Sequence, residues 1–385
     1  MNIFRPASVY AFLALGLCAV PLAAGGADPA SAGTNLDDRV SAAVRKGLEW
    51  LKENQKANGS WSDENYPAIT GFGLWVFAQS AHPARVEVGD KAARFIAGFV
   101  QDDGGIYKRP SGLFRRGGLA TYNTAICMTA LHAYDRGAYQ TPILNARKFV
   151  ASCQLTGDSP DVGGFGYGLP GQGRGRGDLS NTAWSLQAMR LTQGMEDLRP
   201  AGQRAEVNWA AAVEYATKLQ NNDPNDPANK GGFGYDRSGS RGGTVEDRDR
   251  IVKLRGYGSM TYAGLLSMIY AGVDRTDPRV VSALDWVSRH WTLKENPGMG
   301  TRGLFYYYNI LTKSLSLTGK DTVASSAGDP IPWKKQVQEH LLSIQKPDGS
   351  WVNSDNTFWE GNPVIVTSYA VLTLQYTMAV PTPAK

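Results

Sequence analysis

The chain has 385 residues, of which 42% are hydrophobic and 19% charged, a composition that fits one large or two ordinary globular domains and excludes a disordered polymer. Its formal charge of +5 comes from scattered Lys and Arg without a basic run. Nucleic acid is therefore not an expected partner.

At the start, Arg5 precedes an apolar stretch from Val9 to Ala24 that is followed by small residues. This is the pattern of a secretory signal peptide over residues 1–27 and predicts an exported, periplasmic or extracellular protein. The stretch is short for a bilayer span and no basic stop signal follows it. Leu17 also replaces the small residue that a lipid anchor at Cys18 would need. No later run is long and apolar enough to cross a membrane, so no integral span is expected after signal removal.

From Val40 to Leu51, Val40, Ala43, Val44, Gly47, Leu48 and Leu51 fall at helical spacing, with Arg45, Lys46, Lys52 and Glu53 off the stripe. That predicts a helix with one wet side. The next segment, TGFGLWVFAQSA from Thr70 to Ala81, has no charge and reads as a helix enclosed by others. The contrast returns five times. Amphipathic segments run from Lys91, Asn145, Trp209, Arg279 and Lys334, and apolar partners from Tyr122, Asn181, Ser259, Leu304 and Val364. Six half-wet and six dry helices predict an all-α fold, an α/α toroid of about six helix pairs over residues 36–380, with the dry helices inside. An open solenoid would need polar end repeats, which neither end offers.

Between the helices of a pair lies a recurring turn. Gln55, Gly59 and Trp61 form Gln-x-x-x-Gly-x-Trp; Gln345, Gly349 and Trp351 repeat it, and Gln101, Gly105 and Tyr107 give a third version. Gln is expected to bond backbone groups freed at the helix end, Gly to adopt the left-handed conformation that stops the helix, and the aromatic to cover the exit. Gln154 and Gln220 precede longer loops that end in GGFGY, and copy five, near Trp291, lacks the motif.

The repeated pattern resembles the QW repeats of squalene-hopene cyclases and related terpene cyclases, and the prenyltransferase and squalene oxidase repeat of protein prenyltransferase β-subunits. The resemblance implies a toroid whose inner-helix N-termini converge on a central mouth. Aligning the inner helices on Thr70, Thr124, Thr182, Thr261, Tyr307 and Thr367 brings Tyr122, Asn123, Ser180, Asn181, Trp184, Tyr257, Tyr262, Tyr306, Tyr307 and Tyr369 to that mouth as candidate ligand-binding residues. Helix capping and core packing are the competing roles for all of them.

Asp178-Leu179-Ser180-Asn181-Thr182-Ala183 resembles the DxDDTA motif of squalene-hopene cyclases, whose middle aspartate protonates an alkene. Ser180 holds that position, and a serine hydroxyl cannot supply the proton. Asp178 is the best candidate acid if the protein is an enzyme, yet an Asp directly before a helix usually caps it. The prenyltransferase zinc site is not matched either: GTRGLFYYYN has no Asp or Cys, and Val366 stands where the family has His. His82, His132, His290 and His340 lie singly, so neither metal nor cofactor is expected.

Cys127 and Cys153 sit in apolar helical contexts that favour buried thiols, and an oxidising compartment leaves a disulfide between them open. NNDPNDPANK, from Asn221, lacks the alternation of a calcium loop and reads as a polar turn. The segments from Gly171 and from Arg237 to Arg255 supply Arg for a basic rim near the mouth. The leading expectation is a non-catalytic binding or scaffold module that holds a small apolar or carbohydrate ligand, or a protein partner, over an aromatic mouth. The alternative is an enzyme, either a divergent terpenoid cyclase or a lyase that uses Tyr and Arg on a lipid or polysaccharide.

Overall fold

The computed structural model describes residues 35–110, 117–170, 176–238, 244–246, 252–325 and 328–378. The signal-peptide reading and most of the Arg-rich rim lie outside them. Twelve α-helices among the described residues alternate between two rings. The outer ring comprises α1 (Leu36–Glu53), α3 (Arg85–Ala97), α5 (Gln140–Ser152), α7 (Trp209–Lys218), α9 (Pro278–Arg289) and α11 (Trp333–Ile344). The inner ring comprises α2 (Pro67–Ala78), α4 (Ala120–Asp135), α6 (Leu179–Leu191), α8 (Gly258–Tyr270), α10 (Leu304–Thr318) and α12 (Pro363–Thr377). Helix α1 buries the predicted stripe, whereas α2 is buried at every residue. Each inner helix packs on the next, and α12 returns to α2 as α11 does to α1. The toroid is closed. A short antiparallel ribbon, β1 (Thr244–Glu246) with β2 (Val252–Leu254), interrupts the helical pattern ahead of α8.

The turns join neighbouring pairs more than they end helices. Gln55 donates its amide to the carbonyls of Gly59 and of Val88 in α3. Gly59, at φ +88°, presses on the carbonyl of Lys91, three residues further along α3, where a Cβ would come within 2.2 Å. The same pair of contacts recurs at three more junctions. Gln154 reaches Asn208 with Gly163 on Ala211, Gln220 reaches Arg279 with Gly231 on Ser282, and Gln345 reaches Ala43 with Gly349 on Lys46. The last of these closes the ring with the parts that build its interior.

Three expectations about the turn are corrected. The carbonyls freed at helix ends are taken by the aromatic: Trp61 donates its indole N–H to Leu51, and Trp351 to Leu341. Gly59 lies beyond the helix end at Glu53 and shapes the turn instead. In the second copy the positive-φ glycine on the next outer helix is Gly104, not Gly105, and Ile106 stands where Trp61 does. Gln101 therefore misses the junction and donates locally to Phe99 and Tyr107.

The aligned threonines explain how the inner helices are seated. The hydroxyls of Thr70, Thr124, Thr182, Thr261 and Thr367 accept the backbone N–H of Trp61, Ile106, Phe165, Phe233 and Trp351 respectively. A buried donor is thus satisfied five times by one device. In the fifth copy, where Tyr307 replaces Thr, the turn is held by Asn296 and Gly300 instead, and Trp291 donates to Gln336 to link the outer helices.

Candidate functional site

The inner-helix N-termini surround a cavity of about 370 Å³. Of the ten candidates, Tyr122, Ser180, Tyr257, Tyr306 and Tyr369 line it. Trp184 lies just below, its ring edge-on to Phe72 at 5.6 Å and to Tyr122 at 6.1 Å. The other four serve the scaffold. Asn123 accepts from Ala68 and donates to Gly118 and Leu119, and Asn181 donates to Asp178. Tyr262 and Tyr307 are buried against each other at 5.7 Å, with Tyr307 donating to the Thr292 carbonyl. The cause is helical phase, because Tyr307 lies about 100° round the helix from the inward-facing Tyr306.

Asp178 caps α6. One carboxylate oxygen accepts the Asn181 backbone N–H at 2.8 Å, the other accepts the Asn181 side-chain amide at 2.8 Å, and the residue is buried outside the cavity lining. The arrangement satisfies an orphan N–H of the first turn.

Further lining residues come from loops. Tyr167 and Tyr235, the last residues of the two GGFGY turns, meet hydroxyl to hydroxyl at 3.0 Å. Phe358 and Trp359 stand on the rim at φ 58° and 70°, a left-handed conformation costly for side chains of this size. Glu360, the next residue, anchors the segment to α10. Its buried carboxylate accepts the backbone N–H of Phe305 and Tyr306 at the start of α10 and the amide of Asn353, while burial raises its pKa. Asn296 accepts the N–H of Ser259 and so caps α8 beside the cavity. The repeated GGFGY was the available signal for the tyrosines. Nothing local in TFWE marks a rim.

Among the described residues the cavity lining contains no Asp, Glu, Lys, Arg, His or Cys. Burial raises three of its tyrosines, Tyr122, Tyr306 and Tyr369, above the ordinary phenol range and keeps them protonated. Beneath the floor the hub is filled. Lys313 is 2% exposed, donates to the Gln187 side chain at 2.9 Å, and sits 4.2 Å from the Trp184 ring centre and 5.2 Å from that of Trp75. Desolvation lowers its pKa to about 7.

Among the described residues no three His, Cys, Asp or Glu side chains gather as a metal site, and no helix is long and apolar enough to cross a membrane. Cys127 and Cys153 are buried free thiols, both raised in pKa by desolvation, Cys153 to about 12. Asp226 accepts from Asn221 and Asn229, which knits NNDPNDPANK into a polar turn. Of the Arg-rich rim, Arg176 pairs with Asp236, and Arg237 with Asp161.

No protein-family profile and no curated protein matches the chain. Among solved structures, the apo type II terpene cyclase MstE from Scytonema aligns over 89% of this chain and 98% of its own, at a TM-score of 0.53 and 13% identity. An α-1,6-mannanase, GH76A of Salegentibacter sp., in complex with α-1,6-mannotriose, aligns over 88% and 98% at 0.56 and 10%. An α-amylase from Clostridium perfringens aligns over 87% and 97% at 0.55 and 11%. At these identities the likeness establishes the fold.

Proposed function

We propose that this α/α toroid, which has the fold of type II terpene cyclases and of toroidal glycoside hydrolases, is an exported binding protein whose aromatic mouth holds a small neutral ligand without turning it over. The observation that carries the reading is the lining of the cavity among the described residues: aromatic rings, aliphatic side chains, hydroxyls and one amide, with no carboxylate, amine, guanidinium, imidazole or thiol. Cyclisation begun by protonation needs a strong acid aimed at the substrate. Glycoside hydrolysis ordinarily needs two carboxyl groups flanking the bond. A lyase base would be a tyrosine with a lowered pKa, and burial acts in the opposite sense on Tyr122, Tyr306 and Tyr369. Two carboxylates near the mouth, among the described residues, are engaged at helix starts: Asp178 caps α6, and Glu360 accepts the backbone N–H of Phe305 and Tyr306.

The size of the cavity lies at the lower end of the usual range for small-molecule sites, roughly 300–1,000 Å³. Export rests on the leader-like residues 1–27 and places the protein in the periplasm or outside the cell. The test is incubation of the purified chain with squalene, a prenyl diphosphate and neutral glycans, with mass analysis of the products. No conversion is expected. Turnover that disappears in Asp178→Asn, in protein of unchanged melting temperature, would replace this reading with the cyclase.

A further inference from the structure

Resting on the neutral-ligand reading, we infer that the ligand is a neutral oligosaccharide, bound with its terminal ring in the cavity and its next rings across Trp359 and Phe358. Three observations carry this. The first is the chemistry of the polar groups. Tyr122, Tyr306, Tyr369 and Ser180 line the cavity with hydroxyls that can both donate and accept hydrogen bonds, whereas Asn296 and Ser259 are engaged with each other at the α8 cap. Ser180 and Tyr306 meet hydroxyl to hydroxyl at 3.3 Å, and a hydrocarbon filling the cavity would strip water from the hydrogen-bonding capacity that remains, at a cost in free energy. A ring that carries its own hydroxyls exchanges water for bonds while its C–H faces lie on the aromatic walls.

The second observation is the shape. The floor is closed by Trp184, with Trp75 and Lys313 packed beneath it. The cavity is blind, so a polymer enters by an end.

The third is the rim. Phe358 and Trp359 are each 41% exposed. They are consecutive residues in left-handed backbone, and Trp359 is braced edge-on against Tyr66 at 4.7 Å. Burial does not account for exposing two large rings on strained backbone, and the segment is anchored directly after them where the buried Glu360 carboxylate accepts from the start of α10. Strain of this kind gathers at ligand clamps. Flat, fixed rings at the lip of a hydroxyl-lined cup form a stacking platform for the second and third sugar units. No charged group stands among the described lining residues, which favours neutral chains over uronates.

The experiment is titration of the folded chain with α-1,6-mannohexaose, cellohexaose and chitohexaose, with their disaccharides, with a uronate hexamer, and with geranylgeraniol, read by calorimetry and tryptophan fluorescence. At least one neutral hexamer is expected to bind at one per chain. Trp359→Ala should weaken that hexamer about tenfold, the loss of one stacked ring, and leave the matching disaccharide within about twofold. Phe358→Ala provides a second rim variant should Trp359→Ala melt early. Tyr306→Phe should weaken both lengths. Binding of geranylgeraniol with no response to any saccharide would overturn the saccharide assignment and keep the neutral-ligand reading. Silence from every probe, or preference for the uronate, would overturn both. Equal affinity of wild type and both rim variants for the hexamer would remove the platform.

Discussion

Lys313 brings an amine to the hub with no carboxylate beside it. Its neighbours from the surrounding inner helices are Gln187 and Trp184 on α6, Trp75 on α2 and the phenol of Tyr376 on α12. Cation–π contact offsets part of the desolvation, yet the pKa still falls from 10.5 to about 7. Between those two values the unfolded chain binds more protons than the folded one, so stability should rise with pH from about 7 upward. Above pH 10 the trend reverses, because the buried tyrosines ionise only in the unfolded state. Chemical denaturation of wild type between pH 7 and 9.5 should show the rise, and Lys313→Met should flatten it while adding about 2 kcal/mol at pH 7. A wild-type profile as flat as the variant's would mean that the amine is hydrated. The sequence concealed this residue. In LFYYYNILTKSL a lysine near a helix C-terminus reads as one that reaches solvent, and its burial depends on three other helices.

Arg147 and Glu196 show how an element is held by a group its own sequence does not announce. The guanidinium, fully buried, donates to Glu196 at 2.6 Å, to the Met189 carbonyl, to the Thr192 hydroxyl and to the Ala205 carbonyl, while Glu196 also accepts from Ala205. This network ties α5 to the end of α6 and to the irregular stretch that leads into α7. Arg147→Met alone should cost about 3–5 kcal/mol in urea denaturation, by leaving the buried carboxylate with only the Ala205 N–H and the longer contact to Arg199. Arg147→Met combined with Glu196→Leu should recover most of it, and failure to recover would assign the loss to the carbonyl bonds. Helix type and order were legible because apolar spacing is local: the stripe on α1 and the charge-free α2 stand as read. Register within the turn was less so. QDDGGIY has two glycines and two candidate closers, Ile106 and Tyr107. Only contact with the Asn145 carbonyl on the neighbouring helix selects Gly104.

Closure makes the six pairs one molecule. Gly349 at φ +92° abuts the Lys46 carbonyl as Gly59 abuts Lys91, so Gly349→Ala and Gly59→Ala should each destabilise by about 2–4 kcal/mol. A harmless Gly349→Ala would indicate an open ring. Six repeated pairs made the toroid readable from sequence. The mouth was readable in part, since inward helix positions such as Tyr122, Ser180 and Tyr306 follow from phase, whereas Tyr66, Tyr167, Tyr235, Phe358 and Trp359 arrive on loops whose course no periodicity encodes. Function in this molecule rests on that mouth holding one neutral ligand above a plugged hub. Native mass spectrometry of the chain equilibrated with mixed neutral glycans and isoprenoid alcohols tests it most directly. One adduct per chain is predicted, abolished by the cavity-filling Ser180→Trp at unchanged melting temperature. An adduct of equal occupancy in both proteins, or none in either, would contradict it.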